Sequence, residues 1–329
     1  MQQLTNSDFY ILNRSAETIP DLQVSADLIY IDPPFNLNKR FEIEGDLGFD
    51  DYWSTEDSYL TWYAKLITDC FNNLKKNGTL YCHNNFINNG LVLAKVSPEI
   101  RKAFDTNISW KRSHPHNNIK NGWGNITDSI LVFKKGRPYF QIEYADLNEE
   151  YKNNSFNNED ANGCYSLSPI TGEKSRVGHK FIFNGFDPVY GWRKPLEEIE
   201  RLHKANLIHY GKNKPYLKKY LNESKGVPVQ NFWNDIHPIT RSDKNKREYP
   251  TQKPVLLLER IIRASCPPEG VVFDPFCGSG TTMLATHNVG GNRKCITSDV
   301  NPDALELCNN AMVSNFIFAD RDGTGIWSV

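Results

Sequence analysis

The chain has 329 residues and a formal net charge of −1, with 39% hydrophobic and 23% charged residues. That supplies apolar material for one large domain or a domain with an insertion, and the near-neutral balance gives the whole chain no polyanion-binding character. No apolar run approaches the roughly eighteen residues needed to cross a bilayer, and the opening MQQLTNSDFYILN has neither a basic leader nor a long apolar segment, so no membrane partner and no secretion signal are expected.

The first strand in chain order is DLIYI (27 to 31), which runs directly into Asp32-Pro33-Pro34-Phe35. Read alone, those residues fit a turn that stops a strand. Some twenty residues of weak periodicity follow, a loop length that in a compact domain points to function or mobility. An amphipathic helix is expected from about Glu56 to Lys76, stopped by Asn77-Gly78. Segments 79 to 83, 107 to 111 and 129 to 135 read as further strands. From about 136 to 246 the pattern loosens into Asn- and Pro-containing sequence, with short strands and two short helices near 195 to 206 and 215 to 222. Regular alternation then returns: a helix begins at QKPVLLLERIIRAS with Pro254 in its first turn, followed by strand 270 to 274, helix GTTMLATHNV, strand 294 to 299 and helix PDALELCNNAM. Strand and helix alternating at this spacing predict an α/β fold with a doubly wound, mostly parallel sheet and an inserted module.

Seven cysteines at 70, 82, 164, 266, 277, 295 and 308, with no CxxC pair, predict reduced thiols in a cytoplasm, no disulfide framework and no metal site. Lys174 to Lys225 holds twelve Lys and Arg against five Asp and Glu, a local excess of seven, interleaved with aromatic residues. Such a run is either a solvated basic face or a surface that neutralises phosphates.

VVFDPFCGSGTT (271 to 282) carries a strand into a glycine turn and a helix, the place where open α/β sheets hold ligands. Gly278 and Gly280 let a ligand approach the backbone, and Asp299, nineteen residues past Gly280, is placed to bind the two hydroxyls of a ribose. A dinucleotide-binding fingerprint would want a third glycine where Met283 stands.

FDPFCGSGTT resembles the S-adenosylmethionine motif of DNA amino-methyltransferases, DPPF resembles their catalytic [Asp/Asn/Ser]-Pro-Pro-[Tyr/Phe] motif, and TQKP (251 to 254) also matches that family. The order, catalytic motif first and cofactor motif last, is that of the beta class, of restriction-modification or orphan type. The resemblance covers roughly 1 to 135 and 246 to 313. It implies a Rossmann-like methyltransferase domain in two halves, catalytic (1 to 135) and cofactor-binding (247 to 329), around a target-recognition insert (136 to 246). By that resemblance the catalytic residues are Asp32, Pro33, Pro34 and Phe35. S-adenosylmethionine would be held by Asn13, Asp32, Lys253, Asp274, Phe276, Gly278, Ser279, Gly280, Thr281, Thr282 and Asp299. Two departures stand out: Asn13 replaces a usual Asp, and Asp299 a usual Glu.

The exocyclic amine of adenine or cytosine is a poor nucleophile because its lone pair is delocalised into the ring. Asp32 can accept one N–H and the Pro33 carbonyl the other, while Phe35 stacks on the base, a preorganised arrangement that needs no covalent nucleophile. The base must leave the duplex to reach it. Methylation at cytosine C5 uses a thiolate in a Pro-Cys pair, and here Cys266 precedes Pro267 in the reverse order. The resulting expectation is adenine N6 methylation of double-stranded DNA, with cytosine N4 methylation or a catalytically idle DNA-binding subunit as alternatives. A homodimer and a cognate restriction endonuclease are further partners the resemblance allows. Phosphate contacts are expected among Arg193, Lys212, Lys214, Lys218 and Lys219.

Overall fold

The computed structural model describes residues 2–3, 8–22, 24–43, 47–115, 120–240, 243, 246–247, 249 and 251–319. The chain divides into two compact units, Met1–Glu143 with Val229–Val329, and Tyr144–Pro228. The smaller unit is shorter than the insert expected at 136 to 246 because both flanks bond into the larger one. Gln141 donates its N–H to the Ala264 carbonyl (2.8 Å), Val229 donates to Glu143 (2.9 Å), and the Trp110 indole donates to Ile236 (3.0 Å).

The larger unit is built on one sheet with strands β1 (Gln2–Gln3), β2 (Phe9–Asn13), β3 (Ala26–Ile31), β4 (Leu74–Asn84), β5 (Phe104–Lys111), β6 (Thr127–Lys134), β7 (Phe232–Trp233), β8 (Val271–Asp274) and β9 (Lys294–Asp299). Their order is β1-β2-β9-β8-β3-β4-β6-β5-β7. The sheet is mostly parallel, as expected; β6 runs antiparallel to β4 and β5, and β1 antiparallel to β2. Successive side chains of a strand point to opposite faces, which divides the core in two. Leu28, Tyr30, Tyr81, Ile130 and Val132 face one side, with Leu257, Leu258 and Ile261. Ile29, Ile31, Leu80, Cys82, Leu131 and Phe133 face the other, with Tyr63 and Ile67. Ala26 joins that second side because the register shifts between Ala26 and Leu28.

Helix α1 (Glu56–Asn72) opens on a capping box in which Thr55 and Ser58 bond each other's backbone N–H. It ends four residues before the expected stop at Lys76, because Leu74 already pairs with Ala26 as the start of β4. Gly78 is therefore not a helix terminator. It lies inside β4, where a Cβ would come within 3.0 Å of the Ala26 carbonyl oxygen. The loop after Asp32 also has structure of its own, an antiparallel hairpin of Lys39–Ile43 against Leu47–Asp51.

The remaining larger-unit helices used below are α2 (Phe86–Lys95), α3 (Val255–Ser265), α4 (Thr281–Val289) and α5 (Pro302–Ala319). Among the described residues no helix is long and apolar enough to cross a membrane.

The smaller unit carries an antiparallel sheet ordered Asn158–Asp160, Gly163–Pro169, Pro215–Tyr220, Ile208–Tyr210. The helix expected near 215 to 222 is thus a strand followed by a single 3-10 turn. Two neighbouring strands satisfy its backbone, a tertiary gain that local helical spacing does not register. The other expected helix is present at Leu196–Lys204. The unit's core centres on Trp192, fully buried and stacked on Phe181 at 5.6 Å.

Ile29 is fully buried in the central strand and changes no group of the site. Ile29→Ala should cost about 2–5 kcal/mol, read as a lower urea midpoint at unchanged slope.

Candidate active site

Strands β3 and β8 are parallel neighbours, yet the chain leaves β3 toward β4 on one flank and β8 toward β9 on the other. Their carboxyl ends bound the crevice at which strand order reverses, where open α/β sheets place ligands. Asp32 follows β3 and Asp274 ends β8, so the two sequence motifs meet there.

The DPPF loop is held from several sides. The Tyr59 hydroxyl donates to the Pro34 carbonyl (2.9 Å), Asn88 Nδ2 donates to the Phe35 carbonyl (2.8 Å), and Asn36 N–H donates to Asp51 (2.5 Å). Asn36 and Asn38 take the left-handed conformation, which asparagine tolerates better than most residues. With the next two carbonyls engaged internally, the loop presents Pro33 at the cavity wall.

Asp32 Oδ2 forms an ion pair with Lys253, whose ammonium also lies 5.6 Å from the Phe35 ring centre. The other oxygen, Oδ1, is buried and has no hydrogen-bond donor among the described residues. Behind it lies a chain of polar groups: His83 Nδ1 at 3.9 Å from Oδ1, the Tyr30 hydroxyl at 2.8 Å from Nδ1, Asp128 at 3.3 Å from His83 Nε2, and Arg112 at 2.7 Å from Asp128. Burial pushes the Asp128 carboxyl up, but the hydrogen bond from His83, with the nearby cations Lys253 and Arg112, outweighs it and holds the group below its ordinary range. Burial, with help from the neighbouring carboxylates, keeps the Tyr30 phenol neutral.

On the β8 side, Asp274 accepts the Phe276 N–H (2.9 Å) and the Thr282 hydroxyl (2.5 Å) and so shapes the glycine turn. Gly278 and Gly280 have φ of 47° and 77°, values that favour glycine. A Cβ on Gly278 would meet the Tyr249 ring at 3.1 Å, and one on Gly280 would meet Cys308 of α5 at 2.9 Å. Asp299 accepts the Gly278 N–H with one oxygen and the Asn301 N–H with the other, both at 3.0 Å. Arg247 braces the turn by donating to the Ser279 carbonyl (2.8 Å). Burial raises Asp299 above the usual carboxylate range and lifts Asp274 to about 8.

Both halves open into one cavity of about 1480 Å³, lined by Asp32, Phe35 and Lys253 on one side and Phe276, Gly278 and Asp299 on the other. A small-molecule pocket typically encloses roughly 300–1,000 Å³, so this volume accommodates two ligands side by side. Pro33, Pro34, Asp274, Ser279, Thr281 and Thr282 also line it. Gly280 does not, and acts through its packing on α5. Asn13 pairs in register with Asp299, but its side chain is exposed and outside the cavity, whose wall takes Ser15, Ala16 and Glu17 instead. Sequence reasoning missed His83, Asp128, Arg112, Tyr249 and Trp110. The single local signal for this group was Tyr30, a polar tip two residues before Asp32 and on the opposite sheet face from Ile29 and Ile31. Among the described residues no cluster of side chains is suited to a metal ion.

The basic residues of the smaller unit separate into two kinds. Lys218 is only 8% exposed, ion-paired to Asp160 at 2.7 Å and set over the Tyr165 ring, and Arg193 is paired with Glu173 at 3.1 Å. Both are engaged within the fold, which is a structural use that the expectation of phosphate contacts did not foresee. Lys212, Lys214 and Lys219 are exposed, and Lys214 lies over the Tyr216 ring.

A family model for DNA methylases of the N6 and N4 type matches residues 26–310. The chain belongs to this family. As a DNA methylase it is 28% identical over 269 residues to the Type II methyltransferase M.EcaI of Enterobacter cloacae, a match covering 79% of this chain and 59% of that protein. It is also 28% identical to the DNA adenine methyltransferase YhdJ of Escherichia coli, covering 86% of this chain and 74% of that one. The fold is that of the solved M1.HpyAVI–SAM complex, with a TM-score of 0.50 at 17% identity, covering 92% of this chain and 98% of that one. The DNA methylase chain thus spans less than two thirds of the length of M.EcaI.

The raised Asp274 carboxyl gives a pH prediction. Between about 4 and 8 the unfolded chain carries this carboxylate ionised while the folded protein keeps the proton, so its contribution to stability falls as pH rises through that window. Asp274→Asn cannot ionise. The difference in melting temperature, variant minus wild type, should therefore be more positive at pH 8 than at pH 5, and a difference independent of pH would contradict the assignment.

Proposed function

We propose that this chain transfers a methyl group from S-adenosylmethionine to the exocyclic N6 amine of an adenine flipped out of double-stranded DNA. The observation that carries the reading is Asp32, which lines the same cavity as the glycine turn and Asp299 and whose buried oxygen Oδ1 lacks a donor among the described residues. An unsatisfied buried acceptor costs free energy, and an N–H from an occupant of the cavity would remove that cost. With Oδ2 committed to Lys253, the amine would donate to Oδ1 and to the Pro33 carbonyl, which directs the nitrogen lone pair away from both. Phe35 would cover the base face.

The cofactor fits the residues present. Gly278 lines the cavity with bare backbone held against the Tyr249 ring, and Asp299 retains lone pairs for ribose hydroxyls after accepting its two backbone N–H groups. Phe276 would pack on the cofactor's own adenine. When bound, S-adenosylmethionine supplies the electrophilic methyl group. Adenine is favoured over cytosine by the Asp at the head of DPPF and by the likeness to YhdJ, named for adenine. Lys212, Lys214 and Lys219 are assigned to DNA phosphates, and the smaller unit to target recognition.

The test is to sequence modified bases in DNA from cells expressing the protein: N6-methyladenine at one sequence context supports the reading, N4-methylcytosine replaces its base assignment, and unmodified DNA refutes it. Two substitutions should separate the two halves of the site. Asp32→Ala should abolish transfer while calorimetry finds S-adenosylmethionine affinity largely kept. Asp299→Ala should weaken that affinity by about 1.5–3 kcal/mol, the worth of a charged hydrogen-bond acceptor.

Neutralising Lys212, Lys214 and Lys219 one at a time should reduce the salt slope of DNA binding by about one unit for each phosphate left without its cation. The same substitutions should leave S-adenosylmethionine affinity unchanged. Parent slopes in every variant would show these lysines to be solvated surface.

A further inference from the structure

Methylation of an amine leaves the nitrogen with one proton too many, and the proposed reaction is complete only when that proton has a destination. Lys253, the cation on Asp32, is an ammonium and has no lone pair to take it. His83 does. It is fully buried behind Asp32, near the end of β4 and before α2, and is too enclosed for its ring to be a surface group. Its Nε2 faces Asp128, and a carboxylate that only accepts assigns the ring proton to that nitrogen. Nδ1 then carries a lone pair, which takes the Tyr30 hydroxyl proton as a hydrogen bond, and Asp32 Oδ1 lies 3.9 Å from the same nitrogen.

We infer that His83 is a positioning residue behind Asp32 that takes up the proton released by the methylated amine. The inference rests on the methyltransferase reading of the cavity. The amine nitrogen forms its bond to the methyl carbon as the bond from that carbon to sulfur breaks, and the positive charge passes from sulfur to nitrogen. One N–H proton then moves to Asp32 Oδ1 and from there to His83 Nδ1, with the Tyr30 hydroxyl turning to accept from the new N–H. The separation of 3.9 Å is too long for transfer as it stands. It must close by about an ångström, as catalytic hydrogen bonds do when a ligand tightens the site.

The surroundings suit an imidazolium. The groups facing the ring are Tyr30 and Asp32 from β3 and its loop and Asp128 from β6, with the Phe35 and Trp110 rings 5.9 and 5.7 Å away. Arg112 and Lys253 are the nearby cations, and each is already paired with one of those carboxylates. A histidine backed by a carboxylate in this way has its orientation and its charged form stabilised together.

The experiment uses the full chain, with 15N-labelled histidine for imidazole NMR and single-turnover methyl transfer measured against pH, on wild type, His83→Gln and Asp128→Asn. In wild type, His83 should be the Nε2–H tautomer when neutral, and the rate should fall on the acid side as the ring protonates. His83→Gln should lose on the order of 10²-fold in rate, within the range for a proton-accepting group, and lose that acid limb. Asp128→Asn should move the limb to lower pH, because the imidazolium loses its anion. An Nδ1–H tautomer, or an acid limb unchanged in His83→Gln, would overturn the inference. If His83→Gln does not fold, an unshifted limb in Asp128→Asn overturns it equally. A wild type that transfers no methyl group refutes the proposed function itself, whereas an active wild type with an unchanged limb refutes only the role of His83.

Discussion

The ion pair between Asp32 and Lys253 joins residues 221 positions apart, and much of the site follows from it. A carboxylate at the carboxyl end of the central strand is partly withdrawn from water and needs a cation or a donor. The partner comes from the segment before α3, which ties the first motif of the chain to the last third. That tie also fixes where the glycine turn lies, because Thr281 donates to the Lys253 carbonyl. Since one ammonium can neutralise one oxygen well, the second oxygen is left without a donor among the described residues. The pair is short of one donor, and that shortfall distinguishes a site from a structural salt bridge.

Asp32, Asp274 and Asp299 all stand at or just beyond the carboxyl ends of adjacent strands β3, β8 and β9. Their proximity and burial disfavour the ionised forms, which is visible in the raised Asp274 and Asp299 and in the like charges that contribute to the former. Within the larger unit's cavity, Lys253 is the cation directly paired with this group. A cationic ligand would relieve the imbalance, and the sulfonium of S-adenosylmethionine carries that charge.

How far the sequence revealed this depended on the range over which each contact acts. That Asp32, Phe35, Gly278 and Asp299 meet at one cavity was legible because strand tips and a glycine turn at the usual spacing are local features. His83, Asp128 and Arg112 were not, since they come from β4, β6 and the end of β5 and meet only when β6 inserts antiparallel between the other two. Asn13 lies just short of the cavity wall along the chain: strand register sets it beside Asp299, but it is the last residue of β2 and its side chain is exposed. The strand at Pro215–Tyr220 and the long β4 were misjudged for a common reason, in that pairing with distant strands overrode local spacing and an Asn-Gly signal.

The same distinction governs the basic smaller unit. A net excess of seven in the sequence counts every Lys and Arg alike, but three-dimensional pairing commits Lys218 to Asp160, Arg193 to Glu173 and Arg201 to Glu198. Alternation along Pro215–Tyr220 explains the first of these, because Lys218 and Tyr220 share a face and converge on Asp160, whereas Lys219 points the other way. Charge patterning along a strand thus separates a cation that organises the fold from one that can meet a phosphate. Lys219 is offered by the period-2 geometry that withdraws Lys218, and Lys214 is held over an aromatic ring at the turn before the strand, where extending it toward a polyanion costs little.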